Sequence, residues 1–119
     1  MRSALLALAL TSCLAAVGTQ ASAHAHLVKS TPAAKATVAS PKTIALTFNE
    51  KLTPAFSKFE LGMADGMKVN VKTAISKDHK SLVGTPQGKL MPGAYTITWH
   101  AASADDGHKM DGTVPFTVK

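Results

Sequence analysis

Two short stretches of this chain carry side chains that can do chemistry together. The first is Ala21-Ser22-Ala23-His24-Ala25-His26-Leu27. An Ala-x-Ala triplet behind an apolar run is a signal-peptidase site, and a cut after Ala23 makes His24 the first residue. A histidine in that place offers one metal two nitrogens, its free α-amine and its ring Nδ1. The two close a six-membered chelate ring, so the second bond is gained with little further loss of freedom. The other stretch is Ser103-Ala104-Asp105-Asp106-Gly107-His108-Lys109-Met110-Asp111-Gly112. In extended chain, residues two apart point to one side, so Asp106 and His108 present a carboxylate and an imidazole together. Gly107 removes the side chain between them and lets a metal approach the backbone.

His24, Asp106 and His108 make a set of one amine nitrogen, two imidazole nitrogens and one carboxylate oxygen. That set suits a tetragonal Cu(II) ion better than the tetrahedron zinc prefers. An amine of pKa about 7.7–8 and imidazoles near about 6.5 must lose protons to bind, so affinity falls as pH drops. Asp-Gly-His by itself is most often a turn, with the aspartate accepting backbone N–H bonds and the histidine in solvent. The histidine at the cut site is what makes the pair specific. A competing site uses the α-amine, two ionised backbone amides and His26 as the third residue, wrapped around Cu(II) in a plane. His26 also reads as a polar residue at a strand start. Asp105 is the alternative carboxylate to Asp106. His79 stands in a lysine-bearing turn, and His100 faces away from Trp99 by alternation. Met63 and Met67 flank Asp65-Gly66. Thioethers favour Cu(I), but two are a thin ligand set and methionine is a common core filler. Met91 and Met110 are isolated.

The elements around these residues divide the chain in two. Arg2, the apolar run from Ala4 to Val17 and the Ala21–Ala23 site form a secretory signal over 1–23, too short for a comfortable membrane span. Leu10-Thr11-Ser12-Cys13 resembles a bacterial lipobox and is the rival processing site, although its apolar segment is short and the run continues past the cysteine. Residues 24–119 make one domain with no cysteine, since Cys13 is the only one. The domain therefore has no disulfide, and a metal site in it is built from N, O or thioether groups. Lys and Arg number 13 against 7 Asp and Glu, and Arg2 is the one arginine. Without arginine forks, nucleic-acid binding is discounted. The lysines make a solvated face that also steers the chain toward acidic partners or anionic membrane.

The periodicity over 24–119 is two. Ile44, Leu46 and Phe48 alternate, as do Phe59 with Leu61, Val69 with Val71, Tyr95, Ile97 and Trp99, and Val114, Phe116 and Val118. Asp65-Gly66, Lys77–Lys80 and Pro92-Gly93 read as turns. About seven short antiparallel strands with turn signals about every ten residues predict an all-β, immunoglobulin-like sandwich. A turn near 53–57 is the nearest approach to a helix. Pro115 cannot donate to a ladder, so the last strand lies at an edge or turns its N–H side outward. Trp99 is the expected core indole, with Tyr95 near it.

These residues together resemble the CopC family of periplasmic copper-resistance proteins, and within it the YobA-like members. The resemblance is carried by His24-Ala25-His26-Leu27-Val28 with Ser30-Thr31-Pro32-Ala33, by Ile44 to Glu50, by Leu90-Met91-Pro92-Gly93-Ala94-Tyr95-Thr96-Ile97-Thr98-Trp99, and by Ser103 to Gly112 with Phe116-Thr117-Val118. It implies a Greek-key β-sandwich that binds one Cu(II) through the N-terminal histidine and a D-x-H motif, here His24, Asp106 and His108. It also implies a periplasmic location and an inner-membrane copper transporter of the CopD type as partner, with the chain itself not membrane-embedded. Some members carry a methionine-rich Cu(I) loop. Leu61 to Met67 keeps two methionines, so this chain looks like a Cu(II)-only member. The expected role is a copper carrier or buffer without enzymatic activity. A copper oxidase with a histidine brace, like that of lytic polysaccharide monooxygenases, is the second reading. Asp106 argues against it by filling the position where oxygen would bind. A metal-free Ig-like interaction domain is the third, and it leaves His24 and Asp-Gly-His as coincidence.

Overall fold

The computed structural model describes residues 26–119. Among the described residues nine strands form two sheets. Four of them, β1 (Leu27–Thr31), β3 (Ile44–Phe48), β6 (Val71–Ile75) and β7 (Ser81–Pro86), lie in the order β1-β3-β7-β6. The other five, β2 (Thr37–Val38), β4 (Lys58–Met63), β5 (Lys68–Val69), β8 (Gly93–Ala102) and β9 (Lys109–Val118), lie in the order β2-β9-β8-β4-β5. The chain crosses between sheets from β1 to β2, from β2 to β3, from β3 to β4, from β5 to β6 and from β7 to β8. The fold is the expected all-β sandwich without a disulfide. It departs from the expected count because β2 and β5 are two residues long, and the expected Val69–Val71 alternation is split, with Val69 ending β5 in one sheet and Val71 opening β6 in the other. All ladders are antiparallel except β2 on β9, where Thr37 faces Thr117 and Val38 faces Val118.

The alternating residues supply the core from both sheets. Ile44, Leu46, Phe48 and Leu82 from one sheet meet Phe59, Leu61, Tyr95, Ile97, Trp99, Val114, Phe116 and Val118 from the other. Trp99 meets Phe48 edge-on at 5.1 Å between ring centroids, while Tyr95 stacks on Phe116 at 5.5 Å. The two aromatic residues of β8 thus belong to the same buried face but to different ring pairs. Gly84 on β7 lets Phe59 reach across from the facing sheet, since any Cβ there would overlap the phenyl ring.

The turns follow their residues. Gly66 has φ +88°, Met67 N–H donates to Asp65 Oδ1 at 2.9 Å, and Asp65-Gly66 joins β4 to β5 as expected. Lys77–Lys80 joins β6 to β7. There Asp78 Oδ1 accepts the Ser76 hydroxyl and Lys80 N–H, which hold its carboxyl below the usual range. The turn near 53–57 is a single 3₁₀ turn, Pro54–Phe56. Pro115 pairs with Thr96 on one side of β9, and on the other its carbonyl accepts Lys35 N–H at 2.6 Å. Its missing N–H therefore breaks no ladder bond.

One end of the sandwich gathers the start of β1, the end of β3, the β6–β7 turn, the end of β8 and the start of β9. The loop that bears Asp106 and His108 lies at this end, between β8 and β9.

Candidate metal centre

The segment between β3 and the 3₁₀ turn, 49–53, ties this end together. Asn49 holds the start of β1 on one side: His26 N–H donates to Asn49 Oδ1 at 2.7 Å, and Asn49 N–H donates to His26 O at 3.2 Å. Glu50, Lys51, Leu52 and Thr53 hold the β8–β9 loop on the other. Ser103 Oγ donates to Glu50 Oε2 at 3.0 Å, Ala104 N–H to Lys51 O at 2.9 Å, and Thr53 N–H to Ala102 O at 2.8 Å. Leu52 and Ser103 form an isolated bridge. Leu52 N–H also reaches His79 O at 2.8 Å, so the β6–β7 turn is braced against the same segment.

Ser103 is the hub of the loop. It is fully buried, yet every polar atom it has is used. Its N–H donates to His108 O at 3.0 Å and its O accepts Gly107 N–H at 3.0 Å. Its Oγ accepts Asp105 N–H at 3.3 Å while donating to Glu50. Asp106 and His108 therefore stand on a loop fixed at both feet. Asp106 Oδ1 accepts the N–H of His108 at 3.0 Å, which binds the two residues to each other. Both side chains are exposed. Asp105 is bound through its backbone to Ser103, whereas Asp106 accepts the His108 N–H, the bond an Asp-Gly-His turn makes by itself.

Gly107 has a role beyond the one the sequence implied. A Cβ there would meet nothing within 4 Å, but its φ is +70°. The glycine serves the left-handed turn that brings His108 back over Asp106.

His24 and the cut site after Ala23 lie outside the described residues. Among the described residues no group of three or more His, Cys, Asp and Glu is placed to hold a metal ion. That set does not include His24, which is not among the described residues. His26 is described and exposed. Its amide N–H is already engaged by Asn49, and a planar site on the third residue would have to ionise that amide and give up the 2.7 Å bond. His79 is exposed in its turn with φ +60°. His100 is exposed, opposite Lys58 and Asp111, while Trp99 beside it is buried. Met63 packs against the core and Met67 is 63% exposed. Met63 pairs with Tyr95, near the start of β8, so this hairpin lies at the far end of the sheet from the Asp-Gly-His loop. Met91 is exposed, and Met110 packs on the core. No helix among the described residues is long and apolar enough to cross a membrane.

Sequence reasoning missed the roles of Asn49 and Glu50. Glu50 is half-buried and accepts from a serine 53 residues away. Its one sequence signal is an acid placed directly after a strand that ends in a core phenylalanine. Glu50→Ala leaves the buried Ser103 hydroxyl without that acceptor, which costs about 1–3 kcal/mol. Urea unfolding should show that loss, and amide exchange should rise over 103–108. Exchange unchanged in the loop would show that the Glu50 bond does not hold it.

The comparisons agree with this architecture. The CopC domain sequence model matches residues 27–119. A Copper resistance protein C from Xanthomonas campestris pv. juglandis is 43% identical over 104 residues, covering 82% of this chain and 81% of that protein. Protein YobA from Escherichia coli K12 is 40% identical, over 82% of this chain and 80% of its own. The crystal structure of PcoC, a methionine-rich copper resistance protein from Escherichia coli, superposes with TM-score 0.73 at 41% identity, covering 82% of this chain and all of that one. The first and the last of these relatives are named for copper resistance, and none of the three for an enzymatic reaction. With the family model matching almost the whole described chain and the sandwich superposing on a solved member, the chain belongs to the CopC family of copper-resistance proteins.

Proposed function

We propose that the chain, cut after Ala23 and exported to the periplasm, carries or buffers one Cu(II) and passes it to an inner-membrane copper transporter of the CopD type. The copper is held by the α-amine and Nδ1 of His24, the imidazole of His108 and the carboxylate of Asp106. The observation that carries this reading is the shared segment 49–53. Asn49 grips the chain two residues after His24, while Glu50 and Lys51 grip the loop that bears Asp106 and His108. The chain just after His24 and the loop that bears Asp106 and His108 are thus anchored to adjacent residues. The Cu(II)-only form of the reading rests on the separation of Met67 from this end and on the burial of Met63 against the core.

The test is intact mass of the exported protein, then Cu(II) titration followed by Trp99 fluorescence. The chain should begin at His24 and take up one tight equivalent. Asp106→Ala should weaken uptake by at least about tenfold, the lower end of what a changed partner of a metal ligand costs. Asp105→Ala should bind as the parent does. Should the two variants behave the other way round, Asp105 is the ligand. A parent with no tight copper returns the chain to the interaction-domain reading, and a lipidated Cys13 removes the α-amine from the site.

A further inference from the structure

The outer face of the five-stranded sheet carries a groove of about 490 Å³ beside the Asp-Gly-His loop. Its lining includes Phe56, Lys58, His100, Lys109 and Asp111. Phe56 is 58% exposed, yet it is held firmly. Its N–H donates to Thr53 O at 3.2 Å, and the next residue, Ser57, is buried with its Oγ accepting Ala102 N–H at 3.1 Å. The ring is thus presented to solvent by a backbone anchored on both sides. Lys109 Nζ stands 4.9 Å from its centroid, within cation–π range. Lys58, His100 and Asp111 lie in register across β4, β8 and β9 and make the floor. Lys109 follows His108 directly, so the groove and the metal loop share a boundary.

We propose that this groove docks an acidic segment with an apolar anchor, presented by the protein that exchanges copper with this chain; the partner's role rests on the carrier reading. The charges select the occupant. Two lysines and a histidine face one carboxylate, so arriving Asp or Glu side chains find Lys58 and Lys109, and an apolar side chain covers Phe56. A second copy of the chain fits poorly, because a symmetric contact sets these lysines against each other. The groove holds only a few side chains, which makes the contact weak and short-lived, as a handover requires. A segment seated there lies beside His108 without displacing any residue of the loop.

The experiment is amide NMR of the isotopically labelled, copper-free mature protein with a capped octapeptide of Asp and Glu around a single Trp. Shifts are expected at 54–58, 100 and 109–111, fading as salt shortens the screening length below about 10 Å. Phe56→Ser combined with Lys58→Glu should weaken the peptide at least tenfold and leave the Cu(II) titration unchanged. Shifts spread equally over Lys72, Lys77 and Lys80 would mean unselective attraction and overturn the proposal. So would a response to anionic phospholipid vesicles in place of the peptide, or concentration-dependent shifts without either, which would indicate self-association. A parent that docks the peptide but takes up no copper keeps the groove as a docking site and overturns the carrier reading with the partner's identity.

Discussion

Replacing His24 by alanine in the exported protein is expected to remove tight Cu(II) binding. Changing even an outer partner of a metal ligand costs about 10–100-fold in affinity, and this variant deletes a direct ligand together with its chelate ring, so the loss should exceed about 100-fold. The fold should not change, because the described chain is clamped from His26 onward by the Asn49 bonds. Thermal melting without copper should therefore match the parent, whereas the copper-induced rise in Tm should vanish. A chain beginning one residue early, at Ala23, makes a sharper test. It keeps every side chain and moves only the amine, so the chelate ring cannot close. Its copper affinity should fall nearly as far. The alternative site at His26 makes opposite demands. It needs the amine and two amides but not the His24 ring, so it survives His24→Ala and fails in His26→Ala. Parent-like binding by His24→Ala, with loss in His26→Ala, would transfer the site to His26 despite the bond its amide makes to Asn49.

The division between what was legible and what was not tracks the range of the interactions. Alternation is local, so Ile44, Leu46 and Phe48, then Tyr95, Ile97 and Trp99, then Val114, Phe116 and Val118, could be assigned to a buried face from sequence, and all are buried. Turn chemistry is local too, and Asp65-Gly66 falls where expected, whereas at Pro92-Gly93 the chain only bends at Pro92 and Gly93 already opens β8. The two-residue strands β2 and β5 exist because a neighbouring ladder offers them partners, and nothing in Thr37-Val38 announces a parallel pairing with Thr117-Val118. The site divides the same way. Asp106, Gly107 and His108 declare themselves by residue type and spacing. Asn49 and Glu50 act through partners 23 and 53 residues away, and no local pattern encodes that. Gly107 shows the intermediate case. The sequence marked the residue as special, but only φ reveals that the turn requires it.

Gly112→Val should be among the most damaging substitutions that touch no proposed ligand. Gly112 stands directly opposite Trp99 in the β8–β9 ladder, and the indole lies over it. A Cβ at this position would fall 2.5 Å from Cζ2, 2.7 Å from Cε2 and 2.9 Å from Nε1. Its φ is not in the left-handed region, so the obstacle is space alone. Trp99 is 6% exposed and Nε1 has no hydrogen-bond partner among the described residues, so among these packing sets where the ring sits. Valine must drive the indole off this seat and away from the edge of Phe48. Overpacking costs about 1–3 kcal/mol and the displaced aromatic pair a further ~0.5–1.5 kcal/mol, so a loss of about 2–4 kcal/mol is expected in urea unfolding. Trp99 fluorescence should shift to the red as the ring meets water. The copper site should weaken in step, because Phe48 is the residue before Asn49 and its displacement loosens the segment that holds both halves of the site. Trp99→Leu in the Gly112→Val background separates steric conflict from other causes. If the ring is what collides, the double variant loses less than the two single losses added together. A Gly112→Val protein that unfolds within about 0.5 kcal/mol of the parent would place this substitution with ordinary surface changes. The indole would then have another seat available, and the coupling of core to metal loop through Phe48 would lose its basis.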